Sequence, residues 1–198
     1  ISVYNTHGGE AAFRVMAGQI SATNCYFANN TGVSIVYSNG LINYTDCVIR
    51  DSVSLPALEI SSYGQGYNVD NCTFINNTAG AIGVGFSQFL KNNDVIIKNS
   101  KFYNNTADKG GAIRLDKAGA LIENCYFEGN TAVDGGAIYN SYASLLITHC
   151  EFYNSSATGK GGSIYTEGDQ DFIEIDGNLF VNSEAEVGGV IYSNGITT

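Results

Sequence analysis

The sequence has no tryptophan, a single proline, and only nine basic residues against nineteen acidic ones. The net charge of −10 has the wrong sign for a nucleic-acid surface or an anionic membrane, so both are excluded as partners. No apolar run approaches the roughly 18 residues a membrane-spanning helix needs, so the segment is not membrane-spanning by helix. Charged residues make up 14% and hydrophobic residues 44%, which rules out a disordered tail and a coiled coil. What the chain does hold is 24 glycines and 13 tyrosines in 198 residues, the composition of β-strands joined by tight glycine bends.

An internal repeat organises those residues. Asn124-Cys125-Tyr126-Phe127 through Gly135-Gly136-Ala137-Ile138 aligns with Asn99-Ser100-Lys101-Phe102 through Gly110-Gly111-Ala112-Ile113. It aligns equally with His149-Cys150-Glu151-Phe152 through Gly161-Gly162-Ser163-Ile164. The apolar column Phe27, Ile49, Phe74, Phe102, Phe127, Phe152 and Phe180 advances in steps of 22 to 28 residues. Helical repeats are longer and carry a 3.6-residue period; here apolar residues alternate with period two, as in Asp171-Phe172-Ile173-Glu174-Ile175. The expected fold is therefore all-β: a parallel β-helix of about eight coils of ~25 residues, with three short strands per coil.

The columns predict local geometry. Asn24, Asp46, Asn71, Asn99, Asn124, His149 and Gly177 precede the cysteine column, and these residue types tolerate left-handed backbone. Ile97, Ile122, Ile147 and Ile175 lie three residues before that column, and Phe102, Phe127, Phe152 and Phe180 two after it. Only a corner between them points both sets inward. Stacked asparagines at this corner are expected to form an amide ladder, with Asn71 buried in it. All five cysteines (Cys25, Cys47, Cys72, Cys125, Cys150) occupy one column, where the strand spacing of roughly 4.8 Å exceeds what a disulfide wants; they are read as packing residues. The Gly-Gly pairs lack the Lys-Ser/Thr of a phosphate loop and are read as corners.

Phe-x-x-Asn tetrads (Phe27 to Asn30, Phe74 to Asn77, Phe102 to Asn105, Phe127 to Asn130) alternate with Gly-Gly-Ala-Ile (Gly110 to Ile113, Gly135 to Ile138). This pairing resembles the repeats of chlamydial polymorphic membrane proteins and of adhesin-like surface proteins of methanogenic archaea. The resemblance spans nearly the whole chain and is sharpest over residues 68–192. Before that, Ile49 and Asp51-Ser52 replace the tetrad, and Pro56-Ala57 the glycines. It implies a right-handed parallel β-helix of pectate-lyase-like architecture, displayed at the cell surface or secreted. Residues 1–198 are accordingly expected to be a single β-helix segment, monomeric and excised from a longer surface protein.

The resemblance carries no catalytic residue, and the expected role is a non-catalytic adhesin module presenting a side face to a glycan or protein of another cell. A polysaccharide lyase or hydrolase on the same scaffold is the alternative, and a structural spacer in a surface stalk is a third reading. Asp108 and Asp134, with Lys109 and Lys160 nearby, fall one coil apart but read as solvated corner charges. Glu167, Asp169 and Asp171 open an acidic run that could collect Ca²⁺, without the spacing of a known calcium loop; no cofactor is otherwise expected. His7 and His149 have no nucleophile motif beside them. Candidate binding residues are tyrosines expected to face outward in rows: Tyr37, Tyr139, Tyr165 and Tyr192 after the apolar residue of the Gly-Gly strand, and Tyr103 and Tyr153 after the Phe column. Six Asn-x-Ser/Thr sequons, at Asn29, Asn43, Asn71, Asn76, Asn104 and Asn154, follow largely from the repeat.

Overall fold

The computed structural model describes residues 1–7, 11–16, 18–36, 40–60, 66–85, 94–168 and 172–195. Each coil contributes one short strand to each of three sheets. The first sheet stacks eight strands from Ser2–Tyr4 to Leu179–Val181, and the second eight from Phe13–Val15 to Ile191–Asn194. The third stacks seven, from Gly18–Thr23 to Ile173–Asp176. Neighbouring strands pair in parallel and in register, so the sequence columns become physical rows: Phe74 pairs with Phe102, Phe102 with Phe127, and Phe127 with Phe152. The chain is a parallel β-helix, with no helix among the described residues.

Inward positions fill the prism. Ile97, Ile122, Ile147, Phe74, Phe102, Phe127 and Phe152 are all buried, as the corner argument requires. The phenylalanine rings stack 4.5–5.0 Å apart, within 11° of parallel, from Phe74 to Phe180. All five cysteines are free and buried in one row. Each thiol donates to the carbonyl two residues earlier, Cys47 to Thr45 at 3.2 Å and Cys150 to Thr148 at 3.3 Å, for example.

Two left-handed corners bracket the first sheet. The column before the cysteines has φ between 49° and 64°, from Asn71 to Gly177. A second column, Asn29, Asp51, Asn76, Asn104, Gly129, Asn154 and Asn182, follows the Phe row with φ of 52–65°. The buried amide ladder belongs to this second corner. Asn30, Asn77, Asn105 and Asn130 are fully buried one residue after it. Asn77 Nδ2 donates to Asn105 Oδ1 at 2.8 Å, and Asn105 Nδ2 to Asn130 Oδ1 at 3.0 Å. The same carbonyl oxygens accept the backbone N–H groups of Asn77 and Asn105.

This corrects the expectation for the column before the cysteines. Asn71 is exposed, and its amide caps Asp46 at 2.7 Å instead of entering the core. The physical reason is that a left-handed residue turns its own side chain outward. The residue that follows it is the one aimed inside.

Coils differ in how many residues join the first sheet to the second. The step takes 7, 9 and 8 positions in Phe27 to Ser34, Ile49 to Leu58 and Phe74 to Ile82. It takes 11, 11, 12 and 11 in the coils of Phe102, Phe127, Phe152 and Phe180. The added residues make a wall with its own hydrogen bonds. Thr131–Asp134 pairs with Ser156–Lys160, and single bridges extend the wall to Thr106 and Lys109 on one side and to Glu184 and Val187 on the other.

Candidate functional site: a cleft and two tyrosine rows

The outer face of the second sheet carries the row Glu59, Gly83, Arg114, Tyr139, Tyr165 and Tyr192, one residue per coil. Alternation from the buried Ile113, Ile138 and Ile164 puts this row outside the prism, as the sequence predicts. Its tyrosines are nevertheless not exposed: Tyr139 is 1% and Tyr165 5% accessible. The expectation of open rings at Tyr139 and Tyr165 is therefore corrected.

The wall is the cause. Lys109 and Lys160 reach from it over the row, Lys109 Nζ lying 2.7 Å from the Tyr139 hydroxyl and Lys160 Nζ 4.7 Å from the Tyr192 ring centre. The rings stack on one another at 5.0 and 5.2 Å. Tyr139 and Tyr165 both donate their hydroxyls to the Glu167 carboxylate. Burial and the Glu167 charge push both phenols well above their ordinary value. Burial alone would raise Glu167, but the two phenol hydrogen bonds and the Lys109 and Lys160 charges outweigh it and hold its carboxyl below the usual range. Glu167 is thus committed to this network. Its proposed Ca²⁺ companions Asp169 and Asp171 lie outside the described residues, as does Tyr37. Among the described residues, no group of three or more His, Cys, Asp and Glu is placed to hold a metal ion.

Where the wall stops, a cleft opens. It has a volume of about 740 Å³. Ser54, Pro56, Thr78 and Gly80 of the short corners line one side, and Thr106, Asp108 and Lys109 of the first long corner the other, above Glu59 and Arg114. Gly83 makes room for the Pro56 ring: a Cβ there would stand 3.0 Å from Pro56 Cγ, and at an ordinary 3.6 Å from Arg114 Nη2. Arg114 is held between two carboxylates, with Nη2 3.6 Å from Glu59 and Nε 3.1 Å from Asp116. Burial raises the Glu59 carboxyl, the Arg114 charge opposes that rise, and Asp116 adds to it. Sequence reasoning placed Asp108 and Lys109 near one another but missed Glu59, Arg114 and Asp116. The signal lay in the outward positions of the second-sheet strands.

The outer face of the first sheet carries the other tyrosines. Tyr103 and Tyr153 are half-buried there, with Tyr126 between them. The Tyr103–Tyr126 and Tyr126–Tyr153 centres are 5.7 and 5.4 Å apart. Register makes a chequered surface, with Lys101, Tyr126 and Glu151 in one row and Tyr103, Glu128 and Tyr153 in the next. Tyr126 donates to Glu128 at 3.0 Å and Tyr153 to Glu151 at 3.1 Å. Crowding by its neighbours and the Glu128 carboxylate raise the Tyr126 phenol to about 12.

Comparison with known families bears on the fold these surfaces share. The family model described as "Right handed beta helix region" matches residues 36–198. The chain belongs to this family. The handedness of the β-helix is thereby established, and the expected fold class is confirmed. No curated protein and no solved structure matches this right-handed β-helix. The family match gives the scaffold and leaves the adhesin-type resemblance of the repeats as a proposal. Among the described residues, no helix is long and apolar enough to cross a membrane.

Proposed function

We propose that this right-handed β-helix is a non-catalytic adhesin module, displayed at a cell surface, that holds a glycan of another cell in the cleft at the end of the wall. The observation that carries this reading is the cleft itself: about 740 Å³, bordered by hydroxyls, carboxylates and two cations on an otherwise rigid stack of strands. Concave sites with a few fixed polar groups are where ligands bind, and a rod of in-register rungs holds them with little loss of entropy on binding. Thr78 and Thr106 offer hydroxyls, and Arg114 offers a guanidinium flanked by Glu59 and Asp116. These are donors and acceptors suited to sugar hydroxyls.

A second reading, hydrolysis of a polysaccharide, is favoured by one observation: Glu59 has its carboxyl raised by burial, as a general acid requires. Against it, the Arg114 guanidinium stands between Glu59 and Asp116, and its charge opposes the rise of the Glu59 carboxyl.

One assay separates the two. Purified protein is titrated on a glycan panel, and the same samples are read for new reducing or unsaturated ends. Saturable binding without product, weakened at least about tenfold by Arg114→Ala and by Asp108→Asn, is the expected result. Product formation that disappears in Glu59→Gln overturns the non-catalytic reading. Absence of both binding and product overturns the adhesin reading in favour of a structural spacer.

A further inference from the structure

We propose that the outer face of the first sheet, through Tyr103, Tyr126 and Tyr153 with Glu128 and Glu151, is a second binding surface, for a neutral polysaccharide strand lying along the axis of the rod. It goes beyond the cleft, shares no residue with it, and stands or falls separately.

The argument begins with spacing. One tyrosine per coil faces outward over three consecutive coils, with ring centres 5.7 and 5.4 Å apart along the stack. A partner contacting all three must therefore be elongated and run parallel to the rod axis. The rings are half-buried at their bases, unlike the covered Tyr139 and Tyr165. No wall passes over them, because the long corners fold toward the second sheet.

Chemistry narrows the partner. Tyrosine supplies a large, rigid contact with only two side-chain torsions to fix, and two of these three are already fixed by hydrogen bonds to Glu128 and Glu151. An ionised carboxylate has about four acceptor positions, and each phenol uses one. The remaining acceptors stand beside the rings, where a polyol stacked on an aromatic face presents its hydroxyls. The centre of a protein interface is depleted of charge, whereas here a charged side chain alternates with every ring. Two carboxylates against the single ammonium of Lys101 disfavour phosphate backbones and anionic glycans. A neutral polymer of sugar units is the partner that satisfies rings and carboxylates together.

The experiment is co-sedimentation of the purified protein with cellulose, chitin, mannan and β-1,3-glucan, with immobilised polygalacturonate as the charged comparison. The wild type is expected to sediment with at least one neutral polymer and not with polygalacturonate. Tyr126→Ser combined with Tyr153→Ser is expected to weaken that binding at least about tenfold, while Tyr142→Ser, at an exposed tyrosine outside both surfaces, leaves it unchanged. Circular dichroism checks that the serine variant is folded. If it is not, Tyr103→Ala and the Glu128→Gln/Glu151→Gln pair replace it, with a drop of at least about threefold expected from each. Because tryptophan is absent, tyrosine emission gives a second readout when soluble oligosaccharide of the bound polymer is added. Unchanged binding in the tyrosine variants, loss of binding only in Arg114→Ala, equal retention on polygalacturonate, or no binding to any neutral polymer each overturns the proposal.

Discussion

The coils of Phe27, Ile49 and Phe74 and the coils from Phe102 onward share every rung of the three sheets, yet the outer face of their second sheet is treated in opposite ways. In the earlier coils the step from the first sheet to the second takes seven to nine positions, and the face carries Glu59 and Gly83 beside open space. In the later coils two to five more residues build a wall, and the same face buries Tyr139 and Tyr165. A small change in corner length therefore decides whether a sheet face is a surface or an interior, while the core beneath stays the same. The cleft exists because both kinds of coil meet in one molecule.

Substitutions at the corner glycines should break this comparison most sharply. A Cβ at Gly136 would stand 2.1 Å from the Gly162 carbonyl oxygen and 2.7 Å from the Ser156 backbone nitrogen, so backbone must move. Gly136→Ala is expected to cost about 3 kcal/mol or more, a fall in Tm of roughly 6–12 °C in thermal unfolding. Gly32 occupies the equivalent corner of a short coil, two residues before the second-sheet strand, where the nearest neighbour would be at 3.1 Å. Gly32→Ala is expected to cost under about 1 kcal/mol. Equal effects at the two sites would show that the wall is not a separate tightly packed layer.

Next in size is the amide ladder, which both kinds of coil share. Asn105→Ala removes the acceptor of Asn77 Nδ2 and of the Asn77 backbone N–H, both buried. A loss of about 2–3 kcal/mol is expected in denaturant titration. Ser52 interrupts the ladder among the short coils, and its hydroxyl is buried without a hydrogen bond. Ser52→Asn is expected to gain about 1 kcal/mol by restoring the rung. A destabilised S52N variant would mean that the short coils lack the room the later ones have.

A smaller effect concerns acid. Glu167 titrates below its ordinary value of 4.5 in the folded chain, so its contribution is present above that value and is lost as pH falls through the lower folded one. Tm of the wild type is expected to drop over that interval, and Glu167→Gln to flatten the drop. An unaltered acid profile in the E167Q variant would remove Glu167 from the network under the wall. Smallest of all, Asn104→Gly should change stability by less than about 0.5 kcal/mol, since Gly129 already serves the same left-handed corner one coil later.

Much of this architecture is legible in the sequence because in-register stacking turns a column of letters into a row of side chains. The Phe, Cys and pre-cysteine columns specify the rungs, the inward faces and one left-handed corner directly. The parity of Tyr139 and Tyr165 was also readable, and it placed them correctly outside the prism. Their burial was not, because it depends on Lys109 and Lys160 crossing from a different part of the coil. The ladder sits at the other corner for a related reason. Asn71 and Asn77 are the same residue type, and only backbone handedness at the preceding position determines which points inward. The cleft depends on Glu59 and Arg114, which stand two coils and 55 residues apart in one row with Gly83 between them, and the row mixes residue types so that no repeated letter marks it.

The row of free thiols has a consequence for how the rod is made. Each cysteine donates to the carbonyl two residues earlier, Cys47, Cys125 and Cys150 also reach a carbonyl of the neighbouring coil, and none forms a disulfide, so no bond has to be oxidised, shuffled or isomerised before the next turn is laid down. Paired strands of neighbouring coils lie 21 to 31 positions apart in the sequence, so each turn rests on the turns beside it and can serve as a template for them. A rod of this kind can start folding at any turn and spread to its neighbours, and its thiol row asks for no oxidant while it does so.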